Sequence, residues 1–393
     1  EGFMDFDEII DRKGTFCTQW DYVEDRFGKK DLLPFTISDT DFAIPEQIQI
    51  QLFQRMKHPV FGYTRWNHLE FKSSVVSWFK SRFNIMIQDD WIVYSPSVIY
   101  SISQLIDILT QPGDGIITQT PAYDAFFKTI SGNKRVLVEN KLIYNNGYYT
   151  IDFVTLEEQL KKDSNKVLLL CSPHNPTGRV WSHSELYNLV YLCKKYNVFI
   201  ISDEIHMDIL RDNKSHIPIS YFDYDQIALC SSGSKTFNFP GLIFSYALIP
   251  DDKLRQEFLF HLKNQHGLSS TSILGMHATM TAYNECNQWV NDLNAYVDKN
   301  IEITTEFLKK NLPPIVTTQS EASYLMWLDI SQIPLSPDEI QKRLINIGHV
   351  AIMDGRTYGG NGDNFLRLNI GCSKYKLLDG LEPVSYTHLT LPT

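Results

Sequence analysis

Residues 166–208 read KVLLLCSPHNPTGRVWSHSELYNLVYLCKKYNVFIISDEIHMD. Two short apolar runs, KVLLLC (166–171) and NVFIIS (197–202), flank SELYNLVYLCKKY (184–196). In that middle piece apolar residues recur at helical spacing. The runs are apolar throughout rather than alternating, as strands buried on both faces are. Strand, helix and strand in this order predict a parallel pair with a crossover helix.

The same signature recurs on either side. WIVYS (91–95), GIITQ (115–119), KRVLVE (134–139), QIALCS (226–231) and FSYALI (244–249) bring the apolar runs to seven. The expected fold is α/β, a three-layer sandwich around a mostly parallel seven-stranded sheet. The last hundred residues differ. A helical pattern covers roughly 286–311, Pro313-Pro314 breaks it, and ASYLMWLDI, SPDEIQKRLINIG and FLRLNIG read as strand, helix and strand. A smaller α+β C-terminal domain is expected there. The expected divisions are an N-terminal segment (1–45), loop-like and packed on the small domain, a large domain (46–285) and a small domain (286–383). VSYTHLTLPT (384–393) suits no continuation of the preceding helix and reads as a foreign tail; Met4 reads as the native start.

Composition narrows the functional classes. Of 393 residues, 43% are hydrophobic and 13% aromatic, enough for a sizeable core, and the net charge of −10 comes without a basic stripe. Nucleic-acid binding therefore has little support. The apolar runs fall well short of the about 20 residues that span a bilayer, and no signal-peptide pattern opens the chain. The six cysteines form no CxxC pair; buried free thiols in a reducing cytoplasm are expected.

Parallel sheets bind ligands at the carboxyl ends of their strands, so the residues after each run matter most. Ser97 and Val98 open a helix, and a helix start offers free N–H groups to a phosphate, although most helix starts bind nothing. Tyr123 follows the second run and suits either stacking on a flat ring or core packing. Asn175 lies in a turn, NPTG, whose proline and glycine turn chemistry explains. Asp203 ends a fully apolar run; it either caps a helix or meets a cation, because a buried carboxylate is costly alone. His206 follows three residues on. Lys235, beside Ser232 and Ser234, is either a surface lysine or a desolvated nucleophile. As a set on successive strand ends, these residues match pyridoxal 5'-phosphate, held as a Schiff base to lysine with a carboxylate opposite its pyridinium nitrogen.

NPTG (175–178), SDEIH (202–206), SSGSKTFN (231–238) and FLRLNIG (365–371) resemble the fold-type I pyridoxal-phosphate enzymes of the aminotransferase superfamily. The spacings fit too: 28 residues from Asn175 to Asp203 and 32 from Asp203 to Lys235. FDEIIDRKGTFCTQWD, LPFTISDTDF, VFGYTRW, SDEIHMD and SKTFNFPGL resemble one branch, the cystathionine β-lyase group of MalY/PatB-type C–S lyases. The resemblance runs from about Phe6 to Glu382. It implies that Lys235 is the Schiff-base lysine and catalytic base, and that Asp203 pairs with the ring nitrogen. Asn175, with His206, would bond the ring oxygen, and Tyr123 would stack. Ser97, Val98 and Ser232 would hold the phosphate. Tyr63 would reach it from the other subunit of a homodimer with shared active sites and would be the second catalytic residue beside Lys235; a tyrosine is the alternative to Lys235 for protonating the departing sulfur. Arg367 would grip the substrate α-carboxylate through a bidentate pair, with Asn175 and Asp39 on the substrate side. Kin usually carry a glycine-led GVV where this chain has Pro96-Ser97-Val98, and often ADMDF where it has SDTDF.

The implied activity is α,β-elimination of cystathionine or a related cysteine S-conjugate to a thiol, pyruvate and ammonia, on a small amino-acid substrate in the cytoplasm. The first rival is a class I/II aminotransferase, although Ile243 stands where many of these carry arginine. The second is a regulatory or binding protein on the same fold.

Overall fold

The computed structural model describes residues 5–390. Met4 and the last three residues of the 384–393 stretch lie outside the described residues. All seven apolar runs become strands of one sheet, in the order Ile92–Ser95, Ser245–Leu248, Ile227–Ser231, Phe199–Asp203, Asn165–Cys171, Gly115–Thr120 and Val136–Lys141. Ser245–Leu248 is antiparallel to both its neighbours; the other pairs are parallel. Apart from the exposed Lys166, the central strands are buried along their length, which is why they lack alternation.

The expected crossover helix runs from His183 to Lys195. Ser182 accepts from the Glu185 N–H while the Glu185 side chain returns to the Ser182 N–H, a capping box worth about 1 kcal/mol. The long C-terminal helix spans Asn287–Asn311 and stops just before Pro313. Beside it lies a five-stranded sheet in the order Leu33–Phe35, Val350–Asp354, Phe365–Asn369, Leu325–Asp329 and Val316–Thr317.

One expectation needs correction. The first 45 residues are not only loop: they hold helices Thr18–Asp21 and Val23–Phe27 and the strand Leu33–Phe35. That strand pairs in parallel with Val350–Asp354, a strand the sequence reading omitted. A hairpin, Ile143–Asn145 with Tyr148–Thr150, was also missed. Asn146 and Gly147 turn it with φ of 47° and 83°, the left-handed pair that a tight hairpin demands. The last helix runs Lys374–Val384, and Thr387 and Leu389 beyond it are buried. All six cysteines are free, and five are buried. Among the described residues, no helix is long and apolar enough to cross a membrane.

Candidate active site

Strand register gathers the site. Cys171, Asp203 and Cys230 pair across three neighbouring parallel strands, so the chain leaves all three at one level. The loops that follow deliver Asn175, His206, Ser232 and Lys235 to the rim of one cavity of about 190 Å³. Ser97, Val98 and Tyr123 line it from the other side.

Lys235 sits in the short helix Ser234–Phe237. Its Nζ donates to the Ser38 carbonyl at 2.9 Å. Burial pulls its proton affinity down to about 8; Asp39 and Asp203 oppose this, and Arg367 adds to it. Asp203 has the opposite problem. Burial raises its carboxyl to about 7, against the Ile205 N–H at 3.2 Å and the charge of Lys235. A buried carboxylate at a strand end is short of a cation. His206, also buried, is pushed down to about 3 by desolvation, then by Lys235 and Arg367, so its ring is neutral. Its Nδ1 lies 3.5 Å from Ser323 Oγ.

Ser97 caps the helix Val98–Leu109 by accepting from the Tyr100 N–H. The N–H groups of the first turn have no partner within the helix and face an anion's natural position. Ser232 Oγ donates to the Phe244 carbonyl at 2.7 Å and accepts from the Ser234 N–H at 3.1 Å. Tyr123 precedes its own helix, and burial lifts its hydroxyl to about 12, so it stays protonated.

Arg367 lies in the middle of the Phe365–Asn369 strand and is 3% exposed. It reaches the site through Asn175, whose Oδ1 accepts from Nη1 at 3.3 Å, while Nη2 donates to the Thr36 carbonyl at 2.9 Å. Its Nε is buried without a partner. The loop bearing Asn175 is tied to the small sheet's side. Arg179 pairs with Glu321 at 2.7 Å and Glu185 at 2.6 Å, and the Glu321 N–H donates to the Gly178 carbonyl at 2.9 Å.

Two expected site residues stand elsewhere in the single chain. Tyr63 is 98% exposed and does not line the cavity. Asp39 turns its carboxylate to Arg12, with oxygens 3.0 and 2.9 Å from the guanidinium. The sequence reading missed Ser38 and Tyr324, because Ser38 acts through its carbonyl. That oxygen accepts from Tyr324 Oη at 2.9 Å as well as from Lys235. Ile243 also lines the cavity, with a φ of 53° that a β-branched residue rarely adopts.

The donor set fits pyridoxal 5'-phosphate: an amine for its aldehyde, an uncompensated carboxylate for its ring nitrogen, an aromatic ring and a helix start for its phosphate. The buried Arg367 Nε is a spare donor for an amino-acid carboxylate. The comparisons agree. The family model "Aminotransferase class I and II" matches residues 30–382. Protein MalY of Escherichia coli K12 is 43% identical over 378 residues, 96% of this chain and 97% of that protein. Cystathionine beta-lyase PatB of Bacillus subtilis 168 is 36% identical over 97% of this chain and 99% of its own length. The solved PLP-bound C–S lyase of Staphylococcus hominis superposes with a TM-score of 0.92 at 31% identity, covering 98% of both chains. The chain belongs to the aminotransferase class I and II family, within the group that holds MalY and PatB.

Proposed function

We propose that this protein is a pyridoxal-phosphate-dependent C–S β-lyase acting on cystathionine or a related cysteine S-conjugate. The observation that carries the reading is the pairing of Lys235 and Asp203 in one cavity. One is a cation weakened by burial, the other a carboxylate left short of a cation. The likeness to PatB, named a cystathionine beta-lyase, supports the substrate class.

Lys235 would hold the cofactor covalently, Asp203 its ring nitrogen, Asn175 its ring oxygen, and Ser97, Val98 and Ser232 its phosphate. When bound, the cofactor supplies an electron sink for the charge left at the substrate Cα. Arg367, oriented by Asn175 and Thr36, binds the substrate carboxylate. Lys235 Nζ would take the Cα proton as general base; a proton affinity near 8 leaves a useful free-base fraction. The Cβ–S bond then breaks. The departing sulfur takes a proton from Lys235 Nζ or from a tyrosine, and water converts the remaining three-carbon unit to pyruvate and ammonia.

A homodimer completes the reading. Phe53, Met56, Val60 and Phe61 are exposed beside Tyr63, an apolar stretch suited to a second copy that receives Tyr63 near its phosphate. Buried free thiols suit a reducing compartment, the cytoplasm.

The test is a pyruvate assay against cystathionine, cystine and cysteine, with and without a keto acid. Pyruvate release without an acceptor supports the lyase. Strict dependence on a keto acid would establish the aminotransferase reading, which the family's name favours. Lys235→Ala should lower turnover by roughly 10²- to 10⁴-fold or more and remove the lysine-dependent visible absorbance.

A further inference from the structure

The segment Thr36–Asp41 is held from two sides. On its inner side, carbonyls receive the site's two cations: Ser38 from Lys235 and Thr36 from Arg367, each at 2.9 Å. On its outer side the N-terminal segment grips it. Arg12 forks onto both oxygens of Asp39 at 3.0 and 2.9 Å, and also reaches the Thr40 carbonyl at 3.2 Å and Asp41 Oδ1 at 2.9 Å. Gln19 donates to Asp39 at 2.8 Å and accepts from the Thr36 N–H at 3.0 Å. Asp41 is matched independently, by Lys376 at 2.6 Å and by the Trp20 indole at 2.9 Å. Asp39 has no second cation of this kind, so Arg12 alone neutralises it among the described residues.

We propose that Arg12 is a positioning residue for the reaction: by fixing and neutralising Asp39 it sets how tightly Lys235 holds its proton, and it aims the carbonyls that orient Lys235 and Arg367. The inference rests on the reading of Lys235 as the base. The charged groups that act on Lys235 are Asp39, Asp203 and Arg367, and His206 and Tyr123 share its cavity. Asp39 is the strongest of those that favour the protonated amine. Arg12 does not line the cavity, so its influence passes through Asp39 and the strip behind it. A guanidinium suits this task because its planar fork locks a carboxylate in two contacts, which an ammonium does not.

The test compares Arg12→Gln, Arg12→Lys and Asp39→Asn as holoenzymes. Two curves are measured: the pH titration of the lysine-dependent visible absorbance, and the pH profile of kcat/KM. Removing Arg12 leaves the Asp39 charge bare, so Arg12→Gln should move the lysine transition up by roughly half a unit to one unit. Asp39→Asn should move it down by a similar amount, and Arg12→Lys should move it up by less than Arg12→Gln. A merely structural clamp would shift the variants in one direction or leave the titration unmoved; either result overturns the proposal. If Arg12→Gln does not fold, Arg12→Lys and Asp39→Asn carry the same opposite signs. Absence of a lysine-dependent band in the unaltered protein would instead overturn the functional reading.

Discussion

Arg367 and Asn175 meet between the two sheets: Nη1 donates to Oδ1 at 3.3 Å, joining a strand of the small sheet to the loop at the end of a large-sheet strand. The arginine is thereby aimed while its buried Nε stays free.

Truncation of this arginine should show in substrate binding. Arg367→Ala should raise KM for the amino acid by roughly 10- to 100-fold, the cost of losing charged hydrogen bonds, while the cofactor's visible band persists. Arg367→Lys should recover little, because a point charge cannot make the bidentate pair. Steady-state kinetics beside a cofactor titration checks this; equal losses of both would contradict the role.

Asp203 ties stability to pH. Its carboxyl is raised by burial to about 7, against about 3.9 in an unfolded chain. The stability this group adds is therefore fully present below about pH 4 and is lost as pH rises through about 7. Without cofactor, Asp203→Asn should be more stable than the unaltered protein at about pH 8, by at most about 4 kcal/mol, and level with it near pH 4. Calorimetry of the cofactor-free proteins at both pH values reads this. Added cofactor should erase the advantage, since the asparagine offers the ring nitrogen no charge.

Tyr63 is tested by mixing. If each cavity takes Tyr63 from the partner, Lys235→Ala and Tyr63→Ala subunits are each impaired alone, yet a mixed dimer holds one intact cavity. Co-refolding the two should restore activity above either parent. No restoration, with mixed dimers verified by mass, would place Tyr63 outside the shared site.

Glu321 should matter for folding. Its side chain is 2% exposed and pairs with both Arg179 and Lys214 at 2.7 Å. Glu321→Ala leaves these cations under-compensated and should cost about 3 kcal/mol, read by urea unfolding. Its carboxylate also accepts from the Val180 N–H at 3.1 Å, just after the turn that carries Asn175, so kcat should fall as well.

The large sheet was legible because strands covered on both faces must be apolar throughout, and the chemistry sits where those runs stop. Asp203 and Lys235 stood out because charge at a buried strand end needs a reason. Leu33–Phe35 was not legible: three residues with a central proline carry almost no strand pattern, and only its pairing with Val350–Asp354 makes it one. Ser38 was invisible for another cause, since a carbonyl is common to every residue. The work of Arg12 lies in contacts 27 to 29 residues away in the chain, which no local pattern encodes.

The double grip on Thr36–Asp41 bears on how the protein can be trimmed or tagged. No strand of the large sheet begins before Ile92, so a protease cut near Trp20 would spare the main scaffold. It would nonetheless release Arg12 and Gln19, hand Asp39 to water and slacken the carbonyls behind Lys235 and Arg367. The segment that carries Arg12 and Gln19 thus acts on the cavity from outside it, through the strip it grips.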